Sequence, residues 1–345
     1  MKTFVYAHKA DCDGICSAAI LKRYTDAAGA HGHIDFIDYG SLAEEAFSRI
    51  TALESGSRVI IVDFGCDSKL MTAAENAILR LKERGGAVAW LDHHKWDGET
   101  VKRISAVADL KLSASDEMCG AELAYRNYMK DDEVSMCLAK LGRDSDIDMW
   151  KTNPPSPEYA LTQPLADLIT YYNYLAGDDN VKRRSLLLSI VDSLSTASPD
   201  SVLGKDFAHP FWDGALQKNF DKYKTLEKSK LEQCLDSAET FEAGGHTYVI
   251  SFADRILSPT TAGNSLLNRY GTDASLVFRE SGFISVRRNT GKDNIKCDEI
   301  AGLFGGGGHK YAAGAQLGHS LKTAEELESA KLHIIWTVKD YYSRR

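Results

Sequence analysis

Short apolar runs alternate with longer amphipathic stretches along the first hundred residues. Residues 2–7, 34–38, 58–63 and 87–91 are the runs, and they read as buried strands. Residues 14–28, 42–53 and 69–84 carry apolar positions at helical spacing, with Asp67 or Ser68 able to cap the third and Gly85-Gly86 ending it. This βαβ rhythm predicts a parallel sheet with right-handed crossovers. Beyond residue 100 the periodicity turns helical, near 117–129, 132–142, 158–176, 179–195 and 212–238, with a Pro-rich break at 153–157. From about 240 strands return. The stretch 246–252 is a strand, 260–270 a helix, 274–279 and 283–288 a hairpin, and 297–304 a helix. A short strand at 315–317 and a closing helix over 322–343 complete the chain. The fold class expected is α/β. A parallel-sheet N-terminal domain (1–178) leads through a helical connector (179–238) to a smaller α/β C-terminal domain (239–345).

Charge and cysteine content narrow the setting. The formal net charge of −8 argues against a protein that coats long duplex DNA through a basic surface. No apolar stretch is long enough to span a membrane, and the N-terminus runs straight into a strand pattern without a signal-peptide core. The seven cysteines are odd in number and form no CxxC pair, which points to reduced thiols and a cytoplasmic location.

The chemistry is concentrated where apolar runs end. The first run leads into His8, Asp11 and Asp13, the third into Asp63, and the fourth into Asp92-His93-His94. Ends of parallel strands are where ligands bind in open α/β sheets. Any one of these acids alone reads as a helix cap or strand end, and Asp38 and Asp67 are read that way. Histidines are superfluous for capping, so the full set reads as a metal site. His8 and Asp11 can reach one cation, Asp13 points at a neighbour, and Asp63 can bridge two. His93 or His94 supplies nitrogen to the second. Mixed imidazole and carboxylate donors suit Mn²⁺ or a similar divalent ion, with Mg²⁺ or Co²⁺ as substitutes. Near the other end, four glycines from Gly305 through Gly306, Gly307 and Gly308 precede His309. Without Cβ atoms their N–H groups can approach a phosphate closely.

These residues resemble the DHH phosphoesterase superfamily. The pattern is His8-x-x-Asp11-x-Asp13-Gly14, then Asp63, then Asp92-His93-His94. Residues 305–314, GGGGHKYAAG, resemble the signature of its DHH-associated domain. The resemblance covers roughly 1–150 and 240–320 and implies two divalent ions, usually Mn²⁺. His8, Asp11 and Asp63 would hold one. Asp13, Asp63, His93 and a further Asp would hold the other. That further Asp is taken as Asp146, first of the pair in an Asp-x-Asp-x-Trp pattern, with Asp148 second and Asp144 third. His94 would lie at the scissile phosphate and Asp92 at the site's edge as a ligand or orienting partner, both counted as catalytic. Ile284-Ser285-Val286-Arg287 resembles the family's Ser-x-Arg strand, making Arg287 a phosphate-binding arginine beside the glycine run and His309. Tyr311 or Phe283 can stack on a base, while Arg255, Arg279 and Arg288 read as surface charges.

The expected activity is hydrolysis of short RNA or linear dinucleotides to 5′-mononucleotides, with removal of the 3′-phosphate of adenosine 3′,5′-bisphosphate as a companion. An exopolyphosphatase or cyclic-dinucleotide phosphodiesterase of the same superfamily is the alternative within this chemistry. A non-catalytic RNA-binding module is the alternative outside it. The expected partner is a short RNA or dinucleotide substrate, with a homodimer left open.

Overall fold

The computed structural model describes residues 2–29, 32–114, 117–148, 159–202 and 214–344. The Pro-rich break at 153–157 and Trp150 lie outside them. The chain forms two compact units, Met1–Asp221 and Lys222–Arg345.

The first unit begins β1 (Thr3–His8), α1 (Cys12–Ala27), β2 (Gly32–Ile37), α2 (Ser41–Ala52), β3 (Arg58–Val62), α3 (Ser68–Glu83) and β4 (Ala87–Asp92). It continues with α4 (Gly98–Val107), β5 (Asp109–Leu112), α5 (Gly120–Tyr128), α6 (Glu133–Arg143), a π-helical turn (Asp144–Asp148), α7 (Tyr159–Ala176), α8 (Asn180–Thr196) and α9 (Pro199–Val202). Its five strands are all parallel, in the order β2-β1-β3-β4-β5. The inner strands are apolar throughout because helices cover both faces. Tyr6, Ile61 and Trp90 join a core with Phe47 of α2 and Ile78 of α3. The alternate residues Val5, Ile60 and Leu91 are buried too, on the opposite face. That face takes α1, against which α5, α6 and α8 pack. Trp90 is fully buried, and its indole N–H reaches Phe64 O at 2.8 Å. With all strands running one way, the C-terminal ends of β1, β3 and β4 lie side by side.

α10 (Gly214–Asp236) contains the division between the units, so the stretch expected as a helical connector is shared between them. The second unit holds β6 (Glu239–Ala243), β7 (His246–Phe252), α11 (Pro259–Tyr270), β8 (Ala274–Phe278), β9 (Phe283–Arg288), α12 (Cys297–Gly302), β10 (Gly307–His309), β11 (Ala312–Gln316) and α13 (Ala324–Ser343). Its six-stranded sheet runs β10-β11-β9-β8-β7-β6, with β7 and β8 parallel and every other pair antiparallel. Leu276 and Val286 pack with Ile300 of α12 and Ile334 and Val338 of α13. The expected hairpin at β8–β9 is present. Elements the pattern did not give are α4, β5, the π-helical turn, α9, β6 and β10. β5 is an edge strand whose Asp109, Lys111 and Leu112 are exposed, so no apolar run marks it. Glycine has little strand preference, and β10 is Gly-Gly-His.

Candidate metal centre

Three strand ends bring the centre together. His8 closes β1, Asp63 follows β3, and Asp92, His93 and His94 close β4 and its exit. Asp11 caps α1: its Oδ1 accepts from Gly14 N at 3.0 Å, and its Oδ2 lies 2.9 Å from His8 Nδ1. One oxygen therefore caps the helix while the other faces His8. Gly14 has to be glycine, because a Cβ there would sit 2.2 Å from His8 O.

Asp63 occupies the middle. Its Oδ2 lies 3.8 Å from His8 Nδ1 and its Oδ1 3.2 Å from His93 Nε2, so one carboxylate faces both imidazoles. At φ 56° it is the non-glycine residue with left-handed backbone among the described residues. Asp tolerates that region better than most residues, at a cost of about 1–3 kcal/mol. The fold holds it there through Asp63 N donating to Leu91 O at 2.9 Å.

Asp13 sits in the first turn of α1, yet its carboxylate caps a different helix. Oδ2 accepts from Gly120 N at 2.6 Å and Oδ1 from Ala121 N at 2.8 Å, at the start of α5. The positive end of a helix stabilises an anion placed there. His93 Nε2 then faces three carboxylates: Asp63, Asp146 Oδ2 at 3.5 Å and Asp13 Oδ2 at 3.7 Å. Asp146 reaches in from the π-helical turn, a backbone form frequent at functional sites. Its two neighbours are engaged elsewhere: Asp144 accepts from Thr162 Oγ1 at 2.7 Å, and Asp148 pairs with Arg143 at 3.1 Å.

Asp92 is fully buried. One oxygen holds His94 Nδ1 at 2.8 Å and the other accepts from Trp96 Nε1 at 2.6 Å. His94 is 39% exposed, so a bound molecule can reach its remaining nitrogen. The bond to Asp92 raises its pKa despite partial burial.

Electrostatics here favour a cation. Six carboxylates (Asp11, Asp13, Asp38, Asp63, Asp92 and Asp146) surround three imidazoles and the ammonium of Lys9. Burial, reinforced by Asp13, Asp11 and Asp92, pushes the Asp63 carboxyl well above its ordinary range. Burial and Asp13 likewise raise Asp146. Burial opposes protonation of His8, but the carboxylates of Asp11 and Asp38 override it and lift the pKa to about 10. Burial leads the shifts of Asp63 and Asp146, and the crowding of carboxylates adds to them and dominates that of His8. Three buried atoms also lack a hydrogen bond: His8 Nδ1, Asp63 Oδ2 and His93 Nδ1. His8 Nδ1 and Asp11 Oδ2 lie 2.9 Å apart without hydrogen-bond alignment. His8, Asp11 and Asp63 offer ligand atoms within 4.8 Å of one another; so do Asp13, His93 and Asp146, and so do Asp63, Asp92, His93 and His94. The donor set fits divalent metal.

Sequence reading missed several contributors. Asp38, set aside as a strand end, lies 3.5 Å from His8 Nε2 and 2.7 Å from Lys9 Nζ. It closes an apolar run as Asp63 does, so the rule used for the other acids would have found it. Gly120 and Gly142 are close-packing positions: a Cβ at Gly120 would lie 2.6 Å from Asp63 Cβ, and one at Gly142 would lie 2.7 Å from both Asp13 Oδ1 and Ala121 Cβ. Gly142→Ala is therefore expected to destabilise the protein. The helix itself would favour alanine by roughly 0.5–1 kcal/mol, but overpacking costs about 1–3 kcal/mol. Denaturant titration checks the sign.

In the second unit, β-pairing sets His309 opposite Ala312 and Ala312 opposite Arg287. Paired residues share a sheet face, so His309 and Arg287 lie on one face about 10 Å apart, two strand spacings. Arg287 donates to Thr260 Oγ1 at 2.6 Å and has a buried, unpartnered Nε. The glycine run is partly strand. A Cβ at Gly306 would meet Gly314 O at 2.2 Å and one at Gly308 would meet Ala313 Cα at 2.8 Å, whereas Gly307 faces open space. Two of these glycines are thus demanded by strand packing. Arg279 and Arg288 correct the surface-charge reading: Arg279 donates to Leu257 O, and Arg288 pairs with Asp293 and donates to Lys292 O.

Residues 2–142 match the DHH family, N-terminal domain, and residues 244–337 match the DHHA1 domain. The chain belongs to the DHH family. It is a metal-dependent phosphoesterase of that family, with a buried His/Asp cluster in the DHH domain and a DHHA1 domain after it. Two solved RecJ structures share this fold at low identity, and a third structure is more distantly similar. RecJ from Thermus thermophilus in complex with Mn²⁺ is 17% identical with TM-score 0.51; the match covers 100% of this chain but 52% of that one, so this chain spans about half of it. An exonuclease RecJ bound to manganese is 17% identical with TM-score 0.50, covering 100% and 90% of the two chains. The pGpG-specific phosphodiesterase PggH of Vibrio is 14% identical with TM-score 0.48, covering 98% and 99%. No curated protein matches the chain. Among the described residues no helix is long and apolar enough to cross a membrane.

Proposed function

We propose that this DHH-family phosphoesterase hydrolyses short oligoribonucleotides or linear dinucleotides to 5′-mononucleotides. It does so with two Mn²⁺ ions, one held by His8, Asp11 and Asp63 and the other by Asp13, Asp63, His93 and Asp146. The observation that carries this reading is Asp63, whose two oxygens face His8 on one side and His93 on the other. Such ions supply charge neutralisation at phosphoryl oxygens and acidified water at neutral pH.

The chain's own groups do the rest. Asp92 fixes His94 through Nδ1, leaving Nε2 to donate a hydrogen bond to the phosphoryl or leaving oxygen. No protein nucleophile is required. Arg287 and His309, on one sheet face, grip a second phosphate, with Gly307 presenting open backbone beside them. Tyr311, 60% exposed, stacks parallel on His309 at 5.3 Å and offers a platform for a base, which favours a nucleotide over polyphosphate. The net charge of −8 favours a short substrate over long duplex.

Product analysis with Mn²⁺ on an RNA dinucleotide, a short RNA, adenosine 3′,5′-bisphosphate, a cyclic dinucleotide and polyphosphate tests this. Rapid release of 5′-mononucleotides from the dinucleotide is expected. Orthophosphate from polyphosphate alone would overturn the nucleotide assignment, and no turnover by metal-loaded protein would favour a binding module. Arg287→Ala is expected to raise KM at least about tenfold with a smaller change in kcat, the loss of one charge-assisted phosphate contact. Steady-state kinetics on the dinucleotide reads it, and an unchanged KM would remove Arg287 from the site.

A further inference from the structure

A cavity of about 390 Å³ lies beside the edge strand β2, walled by α2 and the first turns of α8 and entirely within the first unit. It falls in the range of small-molecule sites, roughly 300–1,000 Å³. Its wall carries Lys9, Arg49, Arg183 and Arg184 against one carboxylate, Asp35. Four cations around one small cavity are conspicuous on a chain of net charge −8.

Internal pairing accounts for only part of this charge. Lys9 Nζ is 2.7 Å from Asp38 Oδ2. Asp35 is shared: Arg49 Nη2 approaches one oxygen at 3.5 Å and Arg184 Nε the other at 3.8 Å, while Phe36 N donates to that second oxygen at 2.9 Å. Arg184 Nε also donates to Ile34 O at 2.9 Å. Arg183 is the decisive group. It is 9% exposed, its guanidinium donates to the neutral oxygens of Asn180 and Gly177, and its Nε is buried without a partner. Among the described residues no carboxylate pairs with it. A buried charge without a counter-ion is costly, and an anion in the cavity would offset that cost. Asn180 and Val181, opening α8, stand on the same wall; the end of that helix is capped by Asp179, which accepts from Lys182 N at 2.9 Å, and Asn180 Nδ2 donates to Glu45 at 3.3 Å, so the arginines rather than the helix supply the positive charge.

The geometry points to a second anion site here, taking a small phosphorylated molecule of two or more negative charges, such as pyrophosphate or a nucleoside diphosphate. The forks of Arg49 and Arg184 suit bidentate phosphate contact. Phe36, Leu42 and Val181 supply an apolar wall beside them. None of the proposed metal ligands lines the cavity, so the site stands independently of the phosphodiesterase reading.

The test is calorimetric titration of full-length, metal-stripped protein with inorganic pyrophosphate and, separately, with adenosine diphosphate. It is run in an Arg287→Ala background so that the second unit's phosphate grip does not contribute. That background is expected to bind one equivalent. Adding Arg49→Ala should weaken binding at least about tenfold, the loss of one charge-assisted contact. Arg49 is 43% exposed, so the fold should survive, and an unchanged melting temperature confirms it. Arg184→Ala gives the same result by a second route. Tighter binding of the diphosphate than of pyrophosphate, or equal binding, supports the site and tells whether the apolar wall is used. Absence of binding in the Arg287→Ala background, or binding indifferent to both arginine changes, overturns it.

Discussion

Asp63→Asn is expected to reduce turnover by at least roughly 1,000-fold, since changes one shell further from a metal already cost roughly 10–100-fold. Asparagine is the informative replacement. It keeps the volume and tolerates the left-handed backbone at φ 56°. Alanine there would add about 1–2 kcal/mol of strain and confuse a folding defect with a chemical one. What asparagine removes is the negative charge between His8 and His93. In metal-free protein that charge is a liability, because burial and three neighbouring carboxylates hold the Asp63 carboxyl far above its ordinary range. The metal-free variant should therefore melt no lower than the parent, while its Mn²⁺ content and turnover fall together. Full turnover with unchanged Mn²⁺ content would remove Asp63 from the centre.

His94→Ala is expected to separate chemistry from metal binding. Turnover should fall roughly 100- to 10,000-fold, the usual contribution of a positioned proton donor. Mn²⁺ affinity should stay close to that of the parent. Nδ1 is committed to Asp92 at 2.8 Å, and the ring is exposed enough to meet a substrate. Asp92 is itself held by Trp96, so the pair is braced from behind. A large loss of Mn²⁺ in His94→Ala would instead make His94 a metal ligand, a role its closeness to Asp63, Asp92 and His93 also permits.

Much of this was legible in the sequence, for physical reasons. Parallel strands buried on both faces must be apolar runs, so β1, β3 and β4 stood out and their ends marked the centre. The family signatures extended that reading to the second unit. What escaped depended on backbone geometry. The π-helical turn itself was not visible, although the Asp-x-Asp-x-Trp pattern already put Asp146, which faces His93, ahead of Asp148 and Asp144. Asp13 read as a loop residue aimed at a cation, yet its carboxylate also accepts from the start of a helix 107 residues away. Gly306 and Gly308 looked like phosphate-binding loop, although strand packing also requires them. Edge strands such as β5 carry too many charges to announce themselves.

The most direct test of the central claim is a Mn²⁺ titration of metal-stripped protein, with bound ions per chain and dinucleotide turnover measured on the same samples. Two ions per chain are expected, with turnover rising as the second site fills. Full turnover at one ion per chain, or two bound ions lost from neither Asp63→Asn nor Asp13→Asn, would contradict it.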